Sequence, residues 1–216
     1  MDFAGQIAFL DDLLLTAVTT EFPDPLTDPE RASVSAYLVL SHACIEEFLE
    51  DVCARHFENL LAFLGSPIVP RAAGAALLSI GLQLNAQAVP IKSRNLKAAV
   101  KLGALSYQAL VKANNGVRYD NLKKLVGGLG TDWRLFEQGL STELADLDAL
   151  GSKRGEVGHL SPFSNKSVQV TPRVYPDDVR GWVANGRVAA LAVEGYLVGE
   201  VRKETGALVT FGLVDA

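Results

Sequence analysis

The residues best equipped for chemistry gather in one stretch, LADLDALGSKRGEVGHLSP, which holds Lys153, Arg154 and His159. Arginine is always charged and presents a rigid fork of donors. Histidine titrates near neutrality and can carry a proton either way. At about 100° per helical residue, Leu140, Leu144 and Leu147 mark a core-facing stripe, and Arg154 returns to within about 20° of Leu147. A charge on that line needs a partner, a cavity or a subunit interface. His159 lies about 140° further round, so the two side chains do not share one face of a straight helix. They converge if the helix bends at Gly155 or Gly158, or if a two-fold partner brings its own pair to the same cleft. Gly151, Gly155 and Gly158 are costly inside a helix and predict a close backbone approach, a bend, or the helix end before Pro162. An arginine and a histidine at this spacing also arise by chance, so the pair alone does not define a site.

The elements that must hold this stretch are helical. A first helix is expected over Phe3 to Thr19, then a proline-rich connector, EFPDPLTDPER. Asp28 before Pro29 reads as the N-cap of a long helix to about Leu64. Val34, Leu38, Ile45, Leu49, Val52 and Phe57 recur along it at three- and four-residue spacing, which makes it a spine. His42 and His56 lie within its apolar stripe and read as core histidines, with Glu46 at the stripe's edge, one turn after His42. Two helices follow, separated at Pro90, then a turn at Asn114, Asn115 and Gly116. Asp120 caps a short helix, and Asp132 opens one expected to run to about Leu160. A last helix spans Pro176 to Glu204. SVQVTPRVY alternates like a strand, with ALVTFGL near the C-terminus as its mate. The fold class expected is all-α, a helical bundle in one domain over residues 1–216, with a small two-stranded β appendage.

Composition narrows the function. Of 216 residues, 49% are hydrophobic and 21% charged, which is enough to build a core. The net charge of -5 is not that of a generally basic nucleic-acid binder, so contact with RNA would need a local patch. Lys92, Arg94, Lys97 and Lys101 form one candidate; Lys123, Lys124, Lys153 and Arg154 form another; either also reads as a solvated helix face. Cys44 and Cys53 are about 13 Å apart along one helix, too far for a disulfide. Both read as buried thiols of a reducing compartment, and no cysteine–histidine pattern suggests zinc. The N-terminus lacks the pattern of a signal peptide and no long uncharged apolar run appears, so a cytoplasmic location without membrane attachment is expected. No P-loop, G-x-G-x-x-G or Ser-His-Asp layout is present, and no cofactor or metal is expected.

Three blocks together carry a family likeness: AYLVLSHACIEEFLEDVC, NNGVRYDNLKKLVGGLGTDW and ELADLDALGSKRGEVGHLSP. In this order, within residues 30–205, they resemble HEPN-domain proteins, most closely the RiboL-PSP-associated HEPN branch. The resemblance implies a helical homodimer whose R-x(4–6)-H motifs line a shared cleft. It implies a metal-independent endoribonuclease leaving a 2′,3′-cyclic phosphate and a 5′-hydroxyl. Carried over, Arg154 binds the scissile phosphate and His159 is general base for the 2′-hydroxyl or general acid for the 5′-oxygen. Glu46, where such families often have an acid, would orient Arg154 or His159, and Lys153 would add charge for RNA.

The chain departs from the pattern at two places. Gly155 stands where many active members carry a polar residue, often asparagine, and Gly158 where alanine commonly precedes the histidine. Two main readings follow: an endoribonuclease acting as a toxin or defence effector with a cognate antitoxin or inhibitor, or an inactive HEPN dimer that binds RNA or protein. A toxin modified by nucleotidyl transfer is a third, but Ser161 stands where such toxins often have tyrosine.

Overall fold

A computed structural model describes residues 1–63, 75–76, 96–158 and 174–205. Among them are seven helices and no strand: α1 Phe3–Leu14, α2 Asp28–Ala62, α3 Leu96–Lys112, α4 Tyr119–Gly128, α5 Trp133–Gly139, α6 Ser141–Gly158 and α7 Pro176–Thr205. The all-α class is therefore observed. Most of SVQVTPRVY, all of ALVTFGL and most of the segment around Pro90 lie outside the described residues. No described helix is long and apolar enough to cross a membrane.

The chain divides into two compact units interleaved along the sequence. The first comprises Met1–Phe48, Gly116–Tyr119 and Thr142–Ala190; the second comprises Leu49–Asn115, Asp120–Ser141 and Leu191–Ala216. Both α2 and α7 contribute residues to each unit.

In the first unit α2, α6 and α7 pack closely. Ile45, Leu147, Leu150, Val179 and Val183 are buried, as the helical spacing requires. Gly186 makes the approach: a Cβ there would lie 2.6 Å from Leu150 Cδ2 and 3.3 Å from Ile45 Cδ1. Arg180 ties α7 to α1 through Asp11 at 2.9 Å. Phe3 stacks on Phe48 with ring centroids 4.2 Å apart.

The start of α2 differs from the sequence expectation. The N-cap is Thr27, not Asp28. Thr27 Oγ1 accepts from Glu30 N–H at 3.4 Å, and Glu30 Oε2 accepts from Thr27 N–H at 2.9 Å. This is the reciprocal capping box, and it leaves Pro29 in the first turn, where a missing N–H costs no helical bond. Glu30 Oε1 also accepts from the backbone N–H groups of Thr19 and Thr20 at 3.0 Å, which fixes the connector. The first helix correspondingly stops at Leu14.

In the second unit Tyr107 of α3 stacks on Phe57 of α2 with centroids 4.4 Å apart and donates its hydroxyl to the Leu125 carbonyl at 3.0 Å. Gly130 has φ 74°, the left-handed region, and a side chain there would collide with the backbone of Ala75 and Ala76. Asp132 caps α5 by accepting from Arg134 and Leu135 N–H groups at 3.0 and 3.3 Å. That helix does not run on to Leu160. It ends at Leu140, with φ -133° and ψ 31°, and α6 starts afresh at Ser141.

The capping box sets an acid-sensitive contribution. Hydrogen bonds from Thr27, and then from Thr20, hold the Glu30 carboxyl at about 2 against its ordinary 4.5. The charged form is favoured by folding, so the contribution is full above about 4.5 and fades as pH falls toward 2. Thr27→Ala should cost about 1 kcal/mol in urea denaturation at neutral pH. Glu30→Gln should also destabilise there, with its difference from wild type closing on acidification. A pH-independent difference would contradict this role.

Candidate functional site

The candidate site is built on α6 within the first unit. Leu144, Leu147 and Leu150 bury one face of that helix, and Gly151 continues it. Segment 116–119 pins the outer side. Asp148 Oδ1 accepts from Arg118 Nε at 3.2 Å and from Tyr119 N–H at 3.3 Å. Arg118 then lies across Gly151, where a Cβ would come within 2.5 Å of its Cγ. The close approach expected at the glycines is thus made by the aliphatic stem of an arginine. At Gly155 a Cβ would meet nothing within 4 Å, so packing does not demand a glycine there.

Lys153 and Arg154 have different surroundings. Lys153 Nζ pairs with Glu156 Oε2 at 3.0 Å and lies 5.5 Å from the centroid of the Trp182 ring. Both contacts hold it as a structural cation. Arg154 is half-buried, and among the described residues no hydrogen bond or ion pair engages it. A half-buried guanidinium without a counter-ion among the described residues keeps its fork of donors available to an anion.

Arg154 exerts its charge on His42 of α2. His42 is 2% exposed, and its Nδ1 lies 3.7 Å from Glu46 Oε2. This distance exceeds a hydrogen bond and is within ion-pair reach only when the imidazole is charged. Burial first, and then the Arg154 charge, push the imidazole down to about 4 from its ordinary 6.5, so it is neutral at neutral pH. The reading of His42 as a buried histidine matches its burial, but its place beside Arg154 was missed. The signal available in the sequence was its position one turn before Glu46.

No protein-family model, curated protein or solved structure matches this chain. The site must therefore be read from its own residues. His159 lies outside the described residues, as do Lys92 and Arg94. Lys97 belongs to α3, Lys101 is exposed there, and Lys123 and Lys124 are exposed on α4 in the second unit. Cys53 is buried, and its thiol is pushed up to about 12, chiefly by burial. Cys44 is only half-buried, because it lies beside rather than on the apolar stripe of α2. Among the described residues no three histidine, cysteine, aspartate or glutamate side chains gather as a metal site.

The buried histidines set the acid response. Burial also holds His56 of the second unit at about 4. Both groups bind fewer protons folded than unfolded between about 4 and 6.5, so stability should fall as pH drops through that window. Urea midpoints at pH 7 and pH 5 should show the loss, and His56→Leu should reduce it. Equal midpoints at the two pH values would contradict the neutral, buried state of both imidazoles.

Proposed function

We propose that this chain is a HEPN-type, metal-independent endoribonuclease that works as a homodimer in the cytoplasm, as a toxin or defence effector restrained by a cognate inhibitor. The observation that carries the reading is Arg154, half-buried on α6 with no hydrogen bond or ion pair among the described residues. A phosphodiester supplies the charge and the acceptor oxygens that such a group lacks. Two of the three blocks of likeness meet at this place: one holds His42 and Glu46, the other holds Arg154. The all-helical architecture is the one the resemblance implies.

In this reading Arg154 grips the scissile phosphate and stabilises the charge that builds on its oxygens. The ribose 2′-oxygen attacks phosphorus, and the bond from phosphorus to the 5′-oxygen breaks. His159 takes the 2′-hydroxyl proton or supplies one to the departing 5′-oxygen. The products are a 2′,3′-cyclic phosphate and a 5′-hydroxyl. Lys153, already held by Glu156 and Trp182, adds positive field beside the phosphate without touching it.

The open space at Gly155 favours one second reading. The glycine there is not required by packing, and it loosens the turn that leads to His159. A chain that keeps Arg154 but holds His159 loosely would bind RNA or a protein partner without cleaving.

Purified protein in EDTA should cleave RNA to cyclic-phosphate ends. Arg154→Ala and His159→Ala should each reduce the rate by at least about 100-fold, the scale on which general acid–base and oxyanion groups act. Binding without cleavage would move the assignment to the binding module. Cleavage unchanged in both variants would refute the assigned site.

A further inference from the structure

Two contacts fix how α6 and α7 run past each other in the first unit. Leu150 fills the space at Gly186, where a Cβ would lie 2.6 Å from its Cδ2. One turn further along α6, Lys153 Nζ lies 5.5 Å from the centroid of the Trp182 ring, and Trp182 is one turn before Gly186 on α7. The two helices are therefore antiparallel here, and Trp182 is level with Lys153 and Arg154. At about 100° per residue, Lys153 stands about 60° to one side of Leu150 and Arg154 about 40° to the other. The two cations thus bracket the line of α6 that faces α7, with the indole opposite them. Both members of the cation–π pair stay open to solvent: Trp182 is half-buried, and the Lys153 side chain is 33% exposed. Glu156 holds the ammonium at 3.0 Å, so the lysine is anchored from its own helix as well as by the ring. Gly181, next to Trp182, adds no side chain, and a Cβ there would meet nothing within 4 Å. A flat group has room to approach the indole from solvent.

We propose that Trp182 is a stacking platform for one nucleobase of a single-stranded RNA whose phosphate lies on Arg154. The inference rests on Arg154 as a phosphate binder and adds the base beside it. Packed helices have axes about 8–10 Å apart, so a phosphate on α6 and a ring on α7 are reached by neighbouring parts of one strand. Every base has a π-face, so the indole accepts any of them, and the platform selects on strandedness rather than on sequence. In a duplex the bases are stacked on one another and do not reach the ring; in an unpaired strand they splay out onto it. Lys153 keeps its place against the indole and sets a positive charge beside the stacked base. Trp182 binds substrate here and takes no part in proton transfer.

The test uses the whole protein and three probes of equal length: a single-stranded 2′-O-methyl RNA, which cannot be cleaved through its 2′-oxygen, the same strand in a duplex, and an abasic backbone that presents phosphodiesters without bases. In a Trp133→Phe background Trp182 is the one tryptophan left, and its fluorescence should be quenched by the single strand but not by the abasic backbone. Trp182→Ala should weaken binding of the single strand by about tenfold, the scale of one base–aromatic stack, and leave the abasic affinity unchanged. The preference for single strand over duplex should fall by the same factor, and Trp182→Phe should restore most of it. Arg154→Gln should weaken the single strand and the abasic backbone alike. Equal loss of both probes in Trp182→Ala would show that the indole only props α6 and would overturn the platform, as would an unchanged affinity for the single strand. A selective loss in Trp182→Ala with no effect of Arg154→Gln would overturn the phosphate reading and leave the stack standing. A single strand that fails to bind would overturn both.

Discussion

The candidate site depends on one close approach, that of α7 to α2 and α6 at Gly186. With no Cβ there, Leu150 and Ile45 fill the space against the α7 backbone. Leu150 is one turn before Arg154, and Ile45 is adjacent to Glu46, so the contact that sets the helix spacing lies next to the residues of the candidate site. A larger residue at Gly186 would push α6 and α2 apart, because tight cores answer added volume with backbone shifts. The outer side of α6 is fixed separately, by Asp148 with Arg118 and the Tyr119 N–H. Packing on one side and polar contacts on the other hold α6, with Arg154 half-buried and unengaged among the described residues.

Electrostatics follow from that placement. The cations around α6 and α7 fall into two kinds. Arg118, Lys153 and Arg180 each have a carboxylate within 3.2 Å: Arg118 and Arg180 join separate segments, and Lys153 pairs within α6. Arg154 and the half-buried Arg187 have none among the described residues, and Arg154 acts on an imidazole that burial has already made neutral. In a chain whose overall charge is -5, such local pairing says more about a cation than the net charge does.

Much of this was legible in the sequence, and what was not has identifiable causes. The long helix was readable because Val34, Leu38, Ile45, Leu49 and Val52 keep helical spacing over many turns, and all are buried. Its cap was misplaced by one residue: Asp28 is a good N-cap by type, but Thr27 stands three before Glu30 and completes the reciprocal bonds. The break at Leu140 was hidden because Phe136, Leu140, Leu144 and Leu147 continue one apolar rhythm across it. Gly139 lies against the Tyr196 ring there, a contact between residues far apart in sequence. Arg154 stood out because a charge on a leucine stripe conflicts with burial. His42 did not, since a buried histidine on a helix is ordinary until a second helix brings a charge beside it.

The central claim is that Arg154 is kept free to hold a phosphate. Its most direct test is the affinity of wild type and Arg154→Gln for an uncleavable single-stranded RNA oligonucleotide, measured over a series of salt concentrations on proteins of equal helical content. Loss of a charge-assisted contact should weaken binding by about tenfold or more and make the slope of log affinity against log salt shallower by about 0.7. Equal affinity and equal slope would show that the phosphate sits elsewhere and would contradict the account.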